Sequence, residues 1–323
     1  MSRTNGAGVG KDGRKKKYLK KVSVLIPVVM LPLGVWLGYR TFQDRTLAEV
    51  WQALVDLPSA RLALAFLCAA CSYVCLTGFD TLAIRTLGKR VAYPKIALTS
   101  FISLGIGHTV GVAVLSSGAL RYRLYSGFGL SAGDVGKLIL MCAITVALGL
   151  IGLGGLSLLL NPKLDLGGLN ISPALARGIG GVCLLLLVLY VFAAWRRRTP
   201  LQIRGHEVRL PNAKIAMAQV VLGTVNFAFV AATLYQLLAG AASYGDTVAS
   251  YVIANISALV SHVPGGIGVL EYVISKLVGQ GNVLSALIAF RIIYFLIPLI
   301  LAITLLIATE IFRWRRKGAP ESR

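Results

Sequence analysis

The chain has 323 residues, 56% hydrophobic and only 14% charged, with a mean hydropathy of +0.76. Soluble domains carry about 25% charged residues, so an ordinary water-soluble fold is excluded, and apolar runs near the ~20 residues that span a bilayer recur along the chain. Lys and Arg number 33 against 12 Asp and Glu, a net of +21, but they gather in short clusters between apolar runs, which marks cytoplasmic loops against anionic lipid and not a nucleic-acid surface.

Residues 1–21 hold eight basic side chains and one Asp, which predicts a disordered basic cytoplasmic tail. The run Val22 to Gly38 resembles a signal segment. It is interrupted by Pro27 and Pro32 and followed by Tyr39-Arg40 instead of a small-residue cleavage site, so it is read as an uncleaved first span. Further apolar runs lie at about 61–84, 96–115, 135–160, 174–194, 213–239, 247–263 and 284–311. The expected fold is an all-α polytopic membrane protein with eight apolar helical segments. It forms a single membrane domain over 22–311, with halves at about 22–160 and 174–311, and a second basic tail over 312–323.

If all eight runs cross, the basic loop between Arg196 and Lys214 falls outside and the charge bias is poor. If the third and seventh runs enter and return on one side, most basic residues move to the cytoplasmic side. Both suspect runs end in helix-breaking sequence, at Val114-Leu115-Ser116-Ser117-Gly118 and at His262-Val263-Pro264-Gly265-Gly266-Ile267-Gly268. Irregular backbone at membrane depth survives only where it is buried or lines a wet cavity, so these are the expected sites. The two regions also match each other. A shift of 150 residues aligns Ser100 with Ser250, Ile106 with Ile256, Val110 with Val260, Gly118 with Gly268, Leu120 with Leu270, Tyr122 with Tyr272 and Gly129 with Gly279. This predicts an inverted repeat with two re-entrant elements whose broken ends meet near the midplane.

Arg121 and Arg123 follow the first break. A guanidinium fork suits phosphate oxygens, yet two residues apart on a helix they point about 200° apart, so they cannot share one ligand. The alternative is that both are interfacial anchors, with Tyr122 and Tyr125 as an aromatic belt. After the second break, Glu271 is either a first-turn partner of the helix dipole or a carboxylate facing a cationic group or coupling proton, and an intramembrane acid needs a partner. Arg291 is the candidate, because nothing else basic lies as deep. His108, His262 and Asn255 lie in the re-entrant runs as proton carriers or interhelical hydrogen-bonding groups. Asp80 is expected to cap its helix or pair with Arg85. The five cysteines (Cys68, Cys71, Cys75, Cys142, Cys183) all lie in apolar runs, where neither a disulfide framework nor a metal site is expected.

The run from Gly107-His108 through Ser116-Ser117-Gly118-Ala119-Leu120-Arg121-Tyr122-Arg123-Leu124-Tyr125, with His262 to Glu271, resembles the lysylphosphatidylglycerol synthase transmembrane-region family. That family includes the flippase portion of the multiple peptide resistance factor. The resemblance covers roughly residues 20–315 and implies movement of a phospholipid, anionic or aminoacylated, between leaflets. By motif position it implies substrate contacts at Arg121, Arg123, the bend with Pro264, Gly265, Gly266 and Gly268, and Glu271. Tyr125 and His108 are expected beside them from their place in the chain, with Arg291 and His262 as ion pair or coupling groups.

The expected protein is a lipid transporter of the bacterial inner membrane with both termini cytoplasmic. It uses no cofactor or metal, and its partners are its phospholipid substrate, anionic lipids at the basic loops, and a second copy or a partner enzyme. The soluble aminoacyl-transferase domain of the full-length factor has no counterpart before Arg323, and no HExxH, GxSxG, paired-Asp or nucleotide-binding motif occurs, so an enzyme is not expected. The competing expectation is a membrane partner of a lipid-modifying enzyme, without transport of its own.

Overall fold

A bilayer leaves backbone amides no partner but each other, and the apolar runs accordingly fold as helices. The computed structural model describes residues 57–110, 113–162, 172–196, 211–261, 268–278 and 283–318, with residues 52 and 55 and four short strands between them. The predicted tail 1–21, the predicted span 22–38, the bend residues His262, Pro264, Gly265 and Gly266, and residues 319–323 lie outside the described residues.

In chain order the helices are α1 (Ser59–Thr86), α2 (Tyr93–Val110), α3 (Ala113–Ser126), α4 (Ala132–Leu160), α5 (Pro173–Arg196), α6 (Ala213–Leu237), α7 (Tyr244–Ser261), α8 (Val269–Val278) and α9 (Val283–Arg291), then a π segment (Ile292–Leu296) running into α10 (Ile297–Gly318). Two antiparallel ribbons, Asp165–Leu166 with Leu169–Asn170 and Leu201–Ile203 with His206–Val208, sit in loops. Helix starts follow local chemistry. Ser131 accepts from the Asp134 amide at 3.1 Å while its own amide donates to the Asp134 carboxylate at 2.9 Å, a capping box for α4. Asn212 accepts from the Ile215 amide at the head of α6.

Among the described residues five helices are long and apolar enough to cross a membrane: α1, α4, α5, α6 and the composite span Ser285–Phe312. The third and seventh runs of the sequence form something else. α2 has 18 residues and packs back against the 14-residue α3; α7 has 18 and packs against the 10-residue α8. At 1.5 Å per residue α3 is about 21 Å long and α8 about 15 Å, short of the ~30 Å hydrocarbon core. One expectation is corrected in detail. Ser116-Ser117-Gly118, read as a helix break, lies inside α3, whose described residues run from Ala113. Small residues there serve packing instead: a Cβ on Gly107 of α2 would sit 2.7 Å from that of Ser117, so the two helices run in close contact.

Shifted by 150 residues, α1 falls on α6, α2 on α7, α3 on α8, and α4 on α9 through α10. The packing has the same parity: α1 lies against α6, the α2 hairpin against α10, and the α7 hairpin against α4. The main buried cluster runs through α1, α4, α6, α7 and α9. A second one, with Ile102, Ile106, Leu120, Leu124, Leu299, Ala302 and Leu306, joins the first hairpin to α10. Between α4 and α6 the backbones touch, since a Cβ on Gly149 would lie 2.5 Å from the Gly223 carbonyl carbon. Large apolar side chains such as Leu67, Val74, Val182, Val188 and Ile300 stay exposed, as lipid-facing surfaces do.

Candidate functional site

Each hairpin carries one member of an ion pair on its short second helix, buried at both ends for Arg121 with Asp80 and at the arginine for Glu271 with Arg291, and a band of polar and aromatic side chains accompanies them. On α3, Arg121 and Tyr125 are four residues apart and share a face. Both meet Asp80 of α1: Arg121 donates through Nη2 to Oδ1 at 2.6 Å and through Nε to Oδ2 at 3.1 Å, and the Tyr125 hydroxyl donates to Oδ2 at 2.8 Å. The Cys142 thiol of α4 completes the set at 3.4 Å from Oδ1. Arg121 is 4% exposed and Asp80 0%. The guanidinium fork that suits a phosphate is therefore engaged by a carboxylate of the protein itself. Arg123, on the opposite side of α3 as helical geometry requires, donates through Nε to Glu310 of α10 at 3.0 Å.

On α8, Gly268 has φ +83°, a conformation that side chains resist. It starts the helix and donates its amide to Glu271 Oε2 at 2.8 Å. The same carboxylate accepts from Arg291 of α9, through Nε at 2.7 Å and Nη2 at 3.2 Å. Arg291 is 6% exposed and lies 5.0 Å from the Phe295 ring centroid, whereas Glu271 keeps 25% of its side chain exposed. Arg121 and Glu271 occupy equivalent positions at the 150-residue shift and carry opposite charges.

The band between them starts one turn beyond Arg291. Tyr294 stacks on Phe290 with ring planes 3° apart, and its hydroxyl lies 2.7 Å from Ser72 Oγ. Because Ser72 Oγ gives its own proton to Asn226 Oδ1 at 2.8 Å, Tyr294 is the donor in that bond. Tyr73 donates to the Tyr294 carbonyl at 3.2 Å, and its ring lies 5.5 Å from that of Tyr294 and 6.4 Å from that of His108. Asn255 donates to the Tyr251 hydroxyl at 3.0 Å. α1, α6, the π segment and the end of α2 thus contribute to one polar centre.

The structure brings Arg121, Tyr125 and His108 to one side of this centre and Gly268, Glu271 and Arg291 to the other. Sequence reasoning paired Asp80 with Arg85 and did not single out Glu310, Ser72, Tyr73, Asn226 or Tyr294. A lone carboxylate in an apolar run was the available signal for Asp80. Among the described residues no group of three or more His, Cys, Asp and Glu side chains could hold a metal ion.

No protein-family model matches the chain. It is 33% identical over 274 residues to the uncharacterised protein slr0712 of Synechocystis, a match covering 81% of this chain and 83% of that one. It is 30% identical over 278 residues to the inner membrane protein YbhN of Escherichia coli, covering 84% and 87%. It is 26% identical over 255 residues to the phosphatidylglycerol lysyltransferase of Staphylococcus aureus, covering 76% of this chain and 29% of that enzyme.

Proposed function

The chain belongs to the family of the inner membrane protein YbhN, and from that premise we propose that it binds a phospholipid headgroup at the polar centre between its two helical hairpins and carries the lipid between leaflets of a bacterial inner membrane. The observation that carries this reading is the charged pair Glu271 and Arg291, set at the start of a helix too short to span and open to its surroundings only at the carboxylate. A polar centre in an apolar bundle costs several kcal/mol that packing alone does not require. The similarity to part of an enzyme named for phosphatidylglycerol supports a phospholipid as the ligand. That match spans under a third of the enzyme, so transferase chemistry is not carried over and the protein is read as a carrier.

In this reading the halves form an inverted repeat, with one hairpin entering from the cytoplasm and the other from outside, and both termini are cytoplasmic. Glu271 meets a cationic headgroup or a proton, and Arg291 holds it in place. Arg121, its fork on Asp80, fixes the first hairpin beside the site. The test is reconstitution of the purified protein in vesicles with a fluorescent phosphatidylglycerol and an impermeant quencher. Protein-dependent exposure of inner-leaflet label, lost in Glu271→Gln compared at equal amounts of folded, monodisperse protein, is the expected result. Vesicles with no protein-dependent exchange would leave the alternative, a membrane partner for a lipid-modifying enzyme.

A further inference from the structure

The span Ser285–Phe312 has a break in its hydrogen-bonding pattern before its midpoint. Ile292–Leu296 is π-helical, with the Ile297 amide donating to the Ile292 carbonyl, and Pro298 has no N–H to give to the carbonyl of Tyr294 four residues earlier. That carbonyl is met from outside the helix by the Tyr73 hydroxyl, and the Tyr294 side chain is met by Ser72, so both hydrogen bonds run to α1. The equivalent stretch of the other half, in α4, is uninterrupted α-helix with Leu148 where the second half has Pro298.

The two sides of the π segment have different close partners, although α9 shares the main buried cluster with α1. Before it, α9 is tied to α8 by Arg291 and Glu271. After it, α10 is tied to the first hairpin by Leu299, Ala302 and Leu306 packing on Ile102, Ile106, Leu120 and Leu124, by Arg123 with Glu310, and by a contact so close that a Cβ on Gly105 would lie 2.9 Å from the Pro298 carbonyl oxygen. The hairpins also differ in how deeply they are set. Ile106 is 1% exposed, but its equivalent Ile256 is 47% exposed.

We infer that the π segment is a hinge on which α9 and the α7–α8 hairpin rock as a unit against a frame of α1, the α2–α3 hairpin and α10, with the Tyr294 hydroxyl on Ser72 as the latch of one arrangement. π segments and prolines are where helices bend, and hinges are a few positions that absorb backbone change between rigid bodies. The device is one-sided among the described residues, because the equivalent stretch of α4 is continuous α-helix and Ile106 is buried where Ile256 is exposed. It is also independent of what the protein carries, so it can stand or fall apart from the lipid reading.

The test uses spin labels on ketone-bearing amino acids, which leave the native cysteines untouched, with pulsed dipolar spectroscopy of the full chain in nanodiscs. One pair joins Tyr272 of α8 to Leu301 of α10, across the hinge; the control joins Ser126 of α3 to Leu301, within the frame. The expected result is two distance populations for the first pair and one for the control. Pro298→Ala, which returns an N–H to the Tyr294 carbonyl, should reduce the first pair to one population, and Tyr294→Phe, which keeps the stacking and removes the latch, should shift the ratio without loss of folded protein. A single narrow distance for both pairs, or two populations that neither substitution changes, would overturn the hinge.

Discussion

A carboxylate at bilayer depth is tolerated when its charge is met, and Asp80 is met by the Nε and Nη2 groups of Arg121, the Tyr125 hydroxyl and the Cys142 thiol. Removing one member of such a buried pair strands the other charge at about 3–5 kcal/mol. Asp80→Asn should therefore lower the melting temperature in detergent sharply, and the double variant with Arg121→Gln should recover most of the loss. Tyr125→Phe removes one hydrogen bond to a charged group and should cost about 1.5–3 kcal/mol, read by the same unfolding measurement. These pairings were unequally legible. Depth alone pointed from Glu271 to Arg291, since no other basic residue lies within that span, and the structure joins them. Asp80 had Arg85 close by in sequence and its true partner 41 residues away, so local spacing favoured the wrong arginine. Glu310 lies near the end of the last helix, where a surface role is the ordinary reading, and only the tertiary approach of α10 to α3 gives it to Arg123.

At the scale of helices, the contact of α4 with α6 depends on the absence of side chains at Gly149 and Gly223. Apolar side chains offer no hydrophobic gain for association inside a bilayer, so close backbone approach and dispersion do that work. Gly149→Leu must push the helices apart and should destabilise by about 1–3 kcal/mol or more, seen as a lower melting temperature and poorer extraction as a monodisperse species. Gly136→Leu on the same helix, where a Cβ meets nothing within 4 Å, should leave both unchanged. Helix existence was legible from apolar length. The place of the first interruption was not, because serine and glycine in a membrane helix can mark either a break or a tight crossing, and Ser117 marks the crossing. The π segment left only Pro298 as its trace in the sequence.

For the whole molecule, the 150-residue shift that aligns Ser100 to Gly129 with Ser250 to Gly279 also sets the ranges of α1 to α4 against those of α6 to α10, and the inverted repeat itself is part of the proposed reading. Of the eight apolar runs, the first lies outside the described residues, five fall in helices long and apolar enough to cross, and the third and seventh form the 18-residue helices α2 and α7, each packed against the short helix that follows it. If the halves are inverted, the loop between α5 and α6 is cytoplasmic. A cysteine at Gly205 should then resist an impermeant thiol reagent in intact cells and react after permeabilisation; labelling from outside, as eight full crossings require, would overturn the inverted repeat. The ion pairs bear also on how the chain is made. Asp80 and Arg121 both lie in the first half, and Glu271 and Arg291 both in the second, so each half holds the means to cancel its own deep charges. A charged side chain in an inserting helix is costly until it is met. Asp80 is met only when α3 has been made, 41 residues later, whereas Glu271 waits only for the helix that follows it; a chain truncated between α1 and α3 should therefore be degraded faster in cells than one truncated after α3, as a pulse-chase would measure.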